Sequence, residues 1–379
     1  MLHALYKEVR IPLCIVLPAL LACAALFSIY ALNPTPIDRY NTGSDGSYWQ
    51  SMDYLDTGQH MPSFLPNRFV TGSGFILTVV ELERVFGSRE VSWLLLNSVF
   101  YVGMGLCFYA LAAAVLKDAR AAFFSTLLIA FNYAAVVYGP YYAADASGWF
   151  FYIATLYCSF RFYASGEHKW LWAAAALVGI GGVFKEYALC GGIAVACSIV
   201  FAQRGQWFKK LALLFGAGAV CAGPFLLANL WTWHVFQYTY LNWWAYNQTQ
   251  QSTFPDSRLD EYIKVLGGIY NVAWFLFLPG LYLLWQRRRN IMSDVSLSFI
   301  LIVALSSLPV LVWPPFQRVF FITAPTFVLV AGLFFARVRR YWLLVPWFAA
   351  YVLCAYLMDS YILKAVNIGP LLHVLLAGH

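Results

Sequence analysis

Long apolar runs separated by short polar segments make up most of this chain. A run of about 20 apolar residues spans the hydrocarbon core of a bilayer, so each run predicts a membrane-spanning helix. The pattern predicts a single membrane domain, 1–379, with the N-terminus inside and about 11 spans, at 11–32, 91–116, 121–140, 146–164, 170–184, 187–203, 211–233, 263–285, 295–313, 318–336 and 341–358. The run from Ile11 to Leu32 is too long and continuous for a cleaved signal peptide, so we expect a retained first span.

One apolar run is too long for a single span. The 34 residues from Trp170 to Gln203 carry only one pair of charges, Lys185 and Glu186, almost at their centre. As one helix the run would be about 50 Å long, against a hydrocarbon core of about 30 Å. It therefore predicts two short spans with a charged tip. Ionisable groups near membrane depth are costly and are usually kept for function or for pairing, so this pair is a candidate site.

Two longer polar regions divide the chain. We expect a first outer loop with interfacial helices at 33–90, the first of them a short surface helix that ends near Gly58. A helical module at 91–235, a second long outer loop at 235–262 and C-terminal helices at 263–379 would follow. Segment 69–86 is apolar enough for a span, but it carries three charges in its last turns, Glu81, Glu83 and Arg84. We therefore expect an amphipathic helix that lies in the outer interface.

Composition and charge fix the class and the orientation. The chain is 62% hydrophobic and only 11% charged, which is typical of polytopic membrane proteins and excludes a soluble globular core. In this topology the inner loops hold fifteen of the 24 basic residues but only four of the 17 acids. The resulting net charge is +11 inside and −4 outside, as the positive-inside rule requires. If 69–86 were a span, every later loop would lie on the opposite side of the membrane from the one predicted here. We expect membrane lipid as a partner, and no nucleic acid.

The same topology places several charged side chains outside. Carboxylates are suited to proton abstraction and cations to phosphate binding. The five that we expect at the outer boundary are Asp45, Asp145, Lys185, Glu186 and Arg318.

The order of these residues resembles that of a known family. The chain resembles the GT-C superfamily of membrane glycosyltransferases in four features. These are an early Asp in a long first outer loop, a second Asp after the third span, a Lys-Glu pair between two short helices and a late Arg that opens a span. The stretch 317–325 is similar to an Arg-aromatic-aromatic-Pro pattern in that superfamily, and the resemblance is otherwise best over about 1–235. It implies an all-α GT-C-like fold and transfer of a sugar from a polyprenyl phosphate or diphosphate carrier to a hydroxyl acceptor, on a glycan, lipid or protein. We expect a bacterial inner-membrane protein whose active site faces the periplasm or exterior.

The resemblance also implies roles for particular residues. Asp45 matches the acid that acts as catalytic base, with inversion at the anomeric carbon, and Asp145 matches a second acid that positions substrate. Lys185 and Arg318, and more weakly Arg68, match cations that hold the carrier phosphate. Glu186 would support them.

Each of these assignments has a structural alternative. Asp45 and Gly46 also suit a solvated turn, and Asp145 suits an N-cap for a helix that begins near 147. Lys185 suits a simple ion pair with an outer acid, and Arg318 a snorkelling interface residue. Near Asp45, Gly43 and Gly46 allow sharp turns, and two rings offer faces that stack on sugars, namely Tyr48 and Trp49.

The second outer loop is rich in aromatic and amide side chains. Such side chains suit carbohydrate, so we expect acceptor or sugar contacts from His234, Trp243 and Trp244. An interfacial aromatic belt explains the tryptophans nearly as well, and a structural role explains His234.

We expect neither a cofactor nor a metal. Asp-x-Asp does not occur and no His/Cys/Asp cluster has ligand spacing, which leaves Asp53 and Asp56 as distant candidates. The short inner loops leave no room for a sugar-nucleotide site, which favours a lipid-linked donor. Two rival functions stay open. One is a flippase for a lipid-linked saccharide, for which inverted repeats would be expected, and the other is a non-catalytic subunit of an envelope-glycan assembly complex.

Overall fold

Helices form every regular element in the part of the chain that the computed structural model describes, which is residues 44–58, 66–139, 143–202, 206–251, 258–291, 293–313 and 316–357. The all-α prediction is confirmed for these ranges. The predicted first span, 11–32, and the segment 358–379 lie outside them.

The helices follow one another with short connections. In chain order they are α1 (Ser44–Thr57), α2 (Pro66–Phe86), α3 (Arg89–Leu116), α4 (Ala119–Ala130), α5 (Tyr133–Tyr138), α6 (Asp145–Ser165), α7 (His168–Phe184), α8 (Gly191–Phe201), α9 (Trp207–Phe236), α10 (Tyr240–Gln251), α11 (Arg258–Tyr270), α12 (Trp274–Gln286), α13 (Val295–Ser307), α14 (Gln317–Phe320), α15 (Ala324–Phe335) and α16 (Leu344–Leu357). Short 3-10 helices join several of them, at Glu186–Cys190, Asn271–Ala273, Arg288–Asn290, Leu308–Val312, Phe321–Thr323 and Tyr341–Leu343.

Four helical segments of the described chain are long and apolar enough to cross a membrane, namely Arg89–Leu116, Trp207–Phe236, Glu261–Gln286 and Gln317–Phe335. Shorter apolar helices occur at Ala119–Ala130, His168–Phe184, Glu186–Phe201, Val295–Leu311 and Leu344–Ala355. This pattern is that of a membrane protein. The count of 11 spans is not confirmed, and the interfacial position of α2 stays a prediction.

Two segments differ from the sequence prediction. The expected span 121–140 breaks at Asn132, whose side-chain oxygen accepts a hydrogen bond from the Ala134 N–H, while its amide donates to the carbonyl of Ile269 at 3.0 Å. The expected loop 235–262 contains the whole of α10 and the start of α11. Polar composition suggested a loop there, yet 237–254 contains no Gly or Pro to stop a helix.

Helix α6 is the centre of the bundle, since it packs against α3, α7 and α8. Its buried face carries large rings and branched chains, namely Trp149, Tyr152, Ile153 and Leu156. At Gly148 the missing side chain lets the tip after α7 approach closely, because a Cβ there would lie 2.8 Å from the Cβ of Lys185 and 2.5 Å from the Tyr187 ring. A glycine one turn into α6 thus sets the contact between α6 and the charged tip.

Arg89, the first residue of α3, ties the first two helices to the bundle. Its side chain is 7% exposed and its guanidinium donates to three carboxylates, Asp53 and Asp56 on α1 and Glu83 on α2. The Arg89 Nε to Glu83 Oε2 distance is 2.6 Å. Asp53 and Asp56, the distant metal candidates, therefore serve as ion-pair partners of Arg89.

Replacing Arg89 with methionine is expected to lower the free energy of unfolding by about 1–3 kcal/mol, since it removes a buried partner from three carboxylates that are themselves partly exposed and screened. Thermal unfolding in detergent measures the change. The matched control is Arg84→Met, because Arg84 and its partner Glu81 are both largely exposed and their pair contributes little. Equal losses in the two variants would contradict the anchoring role of Arg89.

Candidate functional site

Several helix ends meet at one point of the described structure, where α2 begins, α6 begins, α7 ends and α14 begins. The side chains that meet there form a set that we call the outer cluster: Tyr48, Arg68, Asp145, Lys185, Glu186, Tyr187 and Arg318. The structure therefore brings together five charged residues that the sequence analysis selected from distant parts of the chain.

Lys185 lies at the centre of the outer cluster. It follows the last residue of α7 in extended backbone, with φ −160° and ψ 126°, and only 6% of the residue is exposed. Its Nζ donates to the Tyr48 hydroxyl at 3.3 Å and lies 3.4 Å from Glu186 Oε2. Burial is the largest single influence and by itself lowers the pKa of Lys185, but Glu186, Tyr48 and Asp145 together outweigh it, so the pKa lies above its ordinary value and the ammonium stays charged.

Glu186 is the nearest acidic partner of Lys185. The ion pair expected as the structural alternative for Lys185 is therefore present in the structure. The Glu186 residue is 6% exposed, and its Oε2 atom has no hydrogen-bond donor within the described chain. Buried carboxylate oxygens normally accept at least one hydrogen bond. The pair is thus incompletely satisfied on the Glu186 side.

Asp145 and Arg318 form the second half of the outer cluster. Asp145 is 1% exposed, and its carboxylate accepts a hydrogen bond from the Tyr187 hydroxyl and lies 3.9 Å from Arg318 Nη1. The N-cap alternative for Asp145 is wrong, because Asp145 is the first helical residue and Ala144 holds the cap position.

Two contacts hold Arg318 in place, one to its backbone carbonyl and one between its side chain and Asp145. The Trp149 Nε1–H donates to the Arg318 carbonyl at 3.0 Å, which fixes the start of α14 against α6. The Arg318 side chain keeps 27% of its surface exposed. A snorkelling residue needs no acidic partner, so the contact with Asp145 argues against that alternative.

Arg68 reaches the cluster from α2. Its Nε donates to the Ser47 hydroxyl at 2.7 Å, and its guanidinium lies 5.1 Å from the centre of the Tyr48 ring. The Lys185 Nζ lies 5.8 Å from the same ring. Tyr48 therefore contacts two of the three cations, a geometry that favours positive charge beside the ring.

The expected sugar-stacking role of Tyr48 and Trp49 is wrong. Both are buried, at 1% and 5% exposure, and Tyr48 packs edge-on against Phe75 and Trp93. The reason is that the polar stretch forms a helix, since α1 begins at Ser44, and one face of this helix lies on α2. The sharp turn expected around Gly46 is absent for the same reason.

The structure places the backbone of Asp45 in the first turn of α1. The side chain of Asp45 lies outside the described part of the structure. Position 45 precedes Tyr48 by three residues, and residues three apart share one face of a helix. The turn that carries Asp45 therefore adjoins the turn that carries Tyr48 and its contact with Lys185.

Tyr187 was not selected by the sequence analysis. Its hydroxyl donates to Asp145, and its ring centre lies 5.5 Å from the Lys185 Nζ. It thereby joins the two halves of the outer cluster. The position of Tyr187 directly after the Lys-Glu pair was the one sign in the sequence of a role in the site. Periodicity alone does not reveal the 3-10 helix that brings its side chain into contact with α6.

Helix α10 flanks the outer cluster. The Tyr238 hydroxyl just before it donates to Asn67, the neighbour of Arg68, and Trp244 packs edge-on against Trp313, which lies shortly before Arg318. Trp243 packs against Tyr240, with ring centres 4.8 Å apart. Trp244 thus contacts the segment that precedes Arg318, whereas Trp243 packs against rings of its own helix.

His234 is not brought into the outer cluster. It is exposed in the last turn of α9, and within the described residues it makes no hydrogen bond or ion pair. As for metal ligands, no group of three or more His, Cys, Asp or Glu side chains comes together in the ranges that the structure covers. Metal independence stays a prediction.

The fold is GT-C-like, which agrees with the fold that the resemblance in the sequence implies. Residues 76–231 match the family described as dolichyl-phosphate-mannose-protein mannosyltransferase. No curated protein sequence matches the chain.

Three solved structures are similar to the chain. ArnT from Cupriavidus metallidurans bound to undecaprenyl phosphate has a TM-score of 0.62 at 16% identity, with 93% of this chain and 66% of ArnT covered. The Archaeoglobus fulgidus oligosaccharyltransferase tethered to an acceptor peptide has a TM-score of 0.51 at 14% identity, with 89% of this chain and 53% of that protein covered. The oligosaccharyltransferase AglB from the same organism, in complex with an inhibitory peptide and a dolichol-phosphate, has a TM-score of 0.51 at 12% identity, with 95% of this chain and 54% of AglB covered. The chain thus spans between about half and two thirds of their length.

Proposed function

We propose that this protein transfers a sugar from a polyprenyl phosphate or diphosphate carrier to a hydroxyl acceptor on the outer, periplasmic face of the bacterial inner membrane. The observation that carries the proposal is the meeting of three cations, Arg68, Lys185 and Arg318, with buried carboxylates at one set of helix ends. A similar fold has been solved with undecaprenyl phosphate and another with a dolichol-phosphate, which supports a lipid-linked donor.

The cations would act on the carrier phosphate. As the sugar departs, negative charge grows on the phosphate oxygens, and fixed positive charges near those oxygens lower the barrier. Lys185 is held in place by Tyr48 and Glu186, and Arg318 by Asp145, so neither has to reorganise when the phosphate arrives. The partial exposure of Arg318 leaves one guanidinium edge available to the ligand.

Asp45 would act as the base. Its carboxylate takes the proton of the acceptor hydroxyl, the acceptor oxygen attacks the anomeric carbon, and the bond from that carbon to the carrier oxygen breaks. The carrier leaves as polyprenyl phosphate or diphosphate with the electron pair, and the anomeric centre is inverted. The helical turn at position 45 adjoins Tyr48, which supports this role for Asp45.

The activity is tested with purified protein and polyprenyl-phosphate sugars in detergent or proteoliposomes. We expect release of free polyprenyl phosphate that depends on an acceptor hydroxyl, and retention of that activity in Lys169→Met, which removes an exposed inner lysine. A flippase would move a labelled lipid-linked sugar between leaflets without releasing the carrier. That outcome would replace the transferase by its main rival.

The topology is tested by cysteine substitutions at Ser44, Ser165 and Ser252. With the charge asymmetry of +11 inside and −4 outside, we expect an impermeant thiol reagent to label positions 44 and 252 from the outside but not the exposed position 165. Labelling at 165 together with none at 252 would make α2 a span and would move the outer cluster to the other face.

A further inference from the structure

Six arginines lie at the ends of two helices on the inner side of the predicted topology. Three follow α12 and three follow α15, and all six are exposed: Arg287, Arg288, Arg289, Arg337, Arg339 and Arg340. We refer to these six residues as the inner arginine patch. None of the charged residues of the outer cluster belongs to it.

The two helices run side by side in the same direction. Tyr270 stacks on Phe327 with ring centres 3.8 Å apart, Phe277 packs on the same ring at 4.4 Å, and further along Gly280 meets Val330. A Cβ on Gly280 would lie 2.0 Å from the Val330 carbonyl oxygen, so the two backbones are in direct contact.

Because contacts advance along both helices together, both arginine runs come at the same end of the pair. Each run begins seven residues beyond the Gly280–Val330 contact, which is about 10 Å at the rise of a helix. The two arginine runs therefore follow the same end of one helix pair.

The inner arginine patch has no acidic partner in the part of the chain that the structure describes. Within the described residues none of its six members forms an ion pair, and the acid nearest in sequence, Asp294, uses its carboxylate to cap α13 through the N–H groups of Ser296 and Leu297. Two inner lysines have partners within the protein, whereas in the patch Arg288 donates to the backbone carbonyl of Trp285 but meets no acid within the described residues. Lys169 pairs with Glu167 at 2.6 Å, and Lys210 donates to two backbone carbonyls.

We propose that the inner arginine patch binds the phosphate groups of anionic phospholipids in the inner leaflet. The inner leaflet is negatively charged, and guanidinium groups bind phosphate in a bidentate manner that ammonium groups cannot match. Orientation alone requires an excess of basic residues, whereas here six unpaired arginines are gathered on two touching helices.

Two exposed tryptophans support a headgroup ligand. Trp285 and Trp342, 62% and 65% exposed, lie next to the two arginine runs in sequence, and the Arg288 guanidinium lies 4.4 Å from the Trp285 ring centre. Amphipathic rings of this kind favour the level of lipid headgroups. The patch thus combines an interfacial anchor with cations at the same depth.

The test uses purified full-length protein in neutral detergent, with mixed micelles containing phosphatidylglycerol or, as a zwitterionic reference, phosphatidylcholine. We expect native mass spectrometry to show retained phosphatidylglycerol and thermal unfolding to shift upward with that lipid only. The triple variant Arg337→Gln/Arg339→Gln/Arg340→Gln should weaken binding on the order of 10- to 100-fold, and its difference from the wild type should shrink at higher salt, which screens the arginine charges.

The matched control removes three charges elsewhere on the inner side, by Lys117→Gln/Arg120→Gln/Lys169→Gln, and should keep the lipid. Both triple variants should unfold at the wild-type temperature in phosphatidylcholine, which shows that they are folded. If both triple variants lose phosphatidylglycerol equally, binding depends only on the net charge of the inner side and the proposal is wrong. Displacement of the lipid by millimolar inorganic phosphate would also overturn it, since a free anion would then be the ligand.

Discussion

Replacing Asp45 with asparagine is expected to slow sugar transfer by about 10²- to 10⁴-fold, the usual share of general base catalysis. Asparagine keeps the size and most hydrogen bonds of aspartate but does not take the acceptor proton. Binding of the carrier lipid should survive, because the cations that would hold its phosphate are on α2, α7 and α14. The measurement is turnover with a polyprenyl-phosphate sugar, alongside binding of polyprenyl phosphate.

The matched control for Asp45→Asn lies on the same helix. Asp53→Asn changes an acid whose described contact is the ion pair with Arg89, so its turnover should stay close to the wild type. A purely structural Asp45 would tolerate asparagine, since both residues suit the first turn of a helix. Near-normal turnover of Asp45→Asn would contradict the catalytic role, and Asp145 or Glu186 would become the leading candidate for the base.

Replacing Lys185 with methionine is expected to reduce transfer by roughly 30- to 1000-fold, since a buried charge-assisted contact to a phosphate contributes on the order of 2–4 kcal/mol. Methionine fills the space of the lysine stem, so the packing against Gly148 is retained. The same loss should appear as weaker binding of polyprenyl phosphate, which separates a phosphate contact from a role in the proton transfer alone.

A second variant separates phosphate binding from pairing with Glu186. Removal of Lys185 alone leaves the Glu186 carboxylate buried beside no cation, which destabilises the protein. In Lys185→Met/Glu186→Gln both charges are gone, so stability should return towards the wild type while transfer stays low. Recovery of activity together with stability would show that Lys185 serves only as the ion-pair partner of Glu186.

The outer cluster was predictable because its members occupy helix ends. In a helical membrane protein the alternation of spans decides which ends share a face, so Asp145, Lys185 and Arg318 were assigned to one side from hydropathy and charge alone. Their contacts across the cluster agree with that assignment. What the pattern did not contain was Tyr187, whose role depends on a 3-10 helix and on the glycine that it packs against.

The errors in the first outer loop have a common physical cause. Polar composition and two glycines favoured turns around Asp45 ahead of a short surface helix, but burial of Tyr48, Trp49 and Met52 against neighbouring helices stabilises a helix that already begins at Ser44. Side-chain packing from distant parts of the chain thus decided the conformation of α1. The helix α10 in the aromatic segment after α9 was also not predicted, although that segment contains no Gly or Pro to stop a helix.

The most direct test of the central claim is a structure of the protein determined with polyprenyl phosphate. We expect phosphate density at the outer cluster, within hydrogen-bond distance of the Lys185 Nζ or the Arg318 guanidinium, with the polyprenyl chain leading away into the membrane. Phosphate density at a different set of helix ends, with the Lys185–Glu186 and Asp145–Arg318 contacts unchanged, would contradict it.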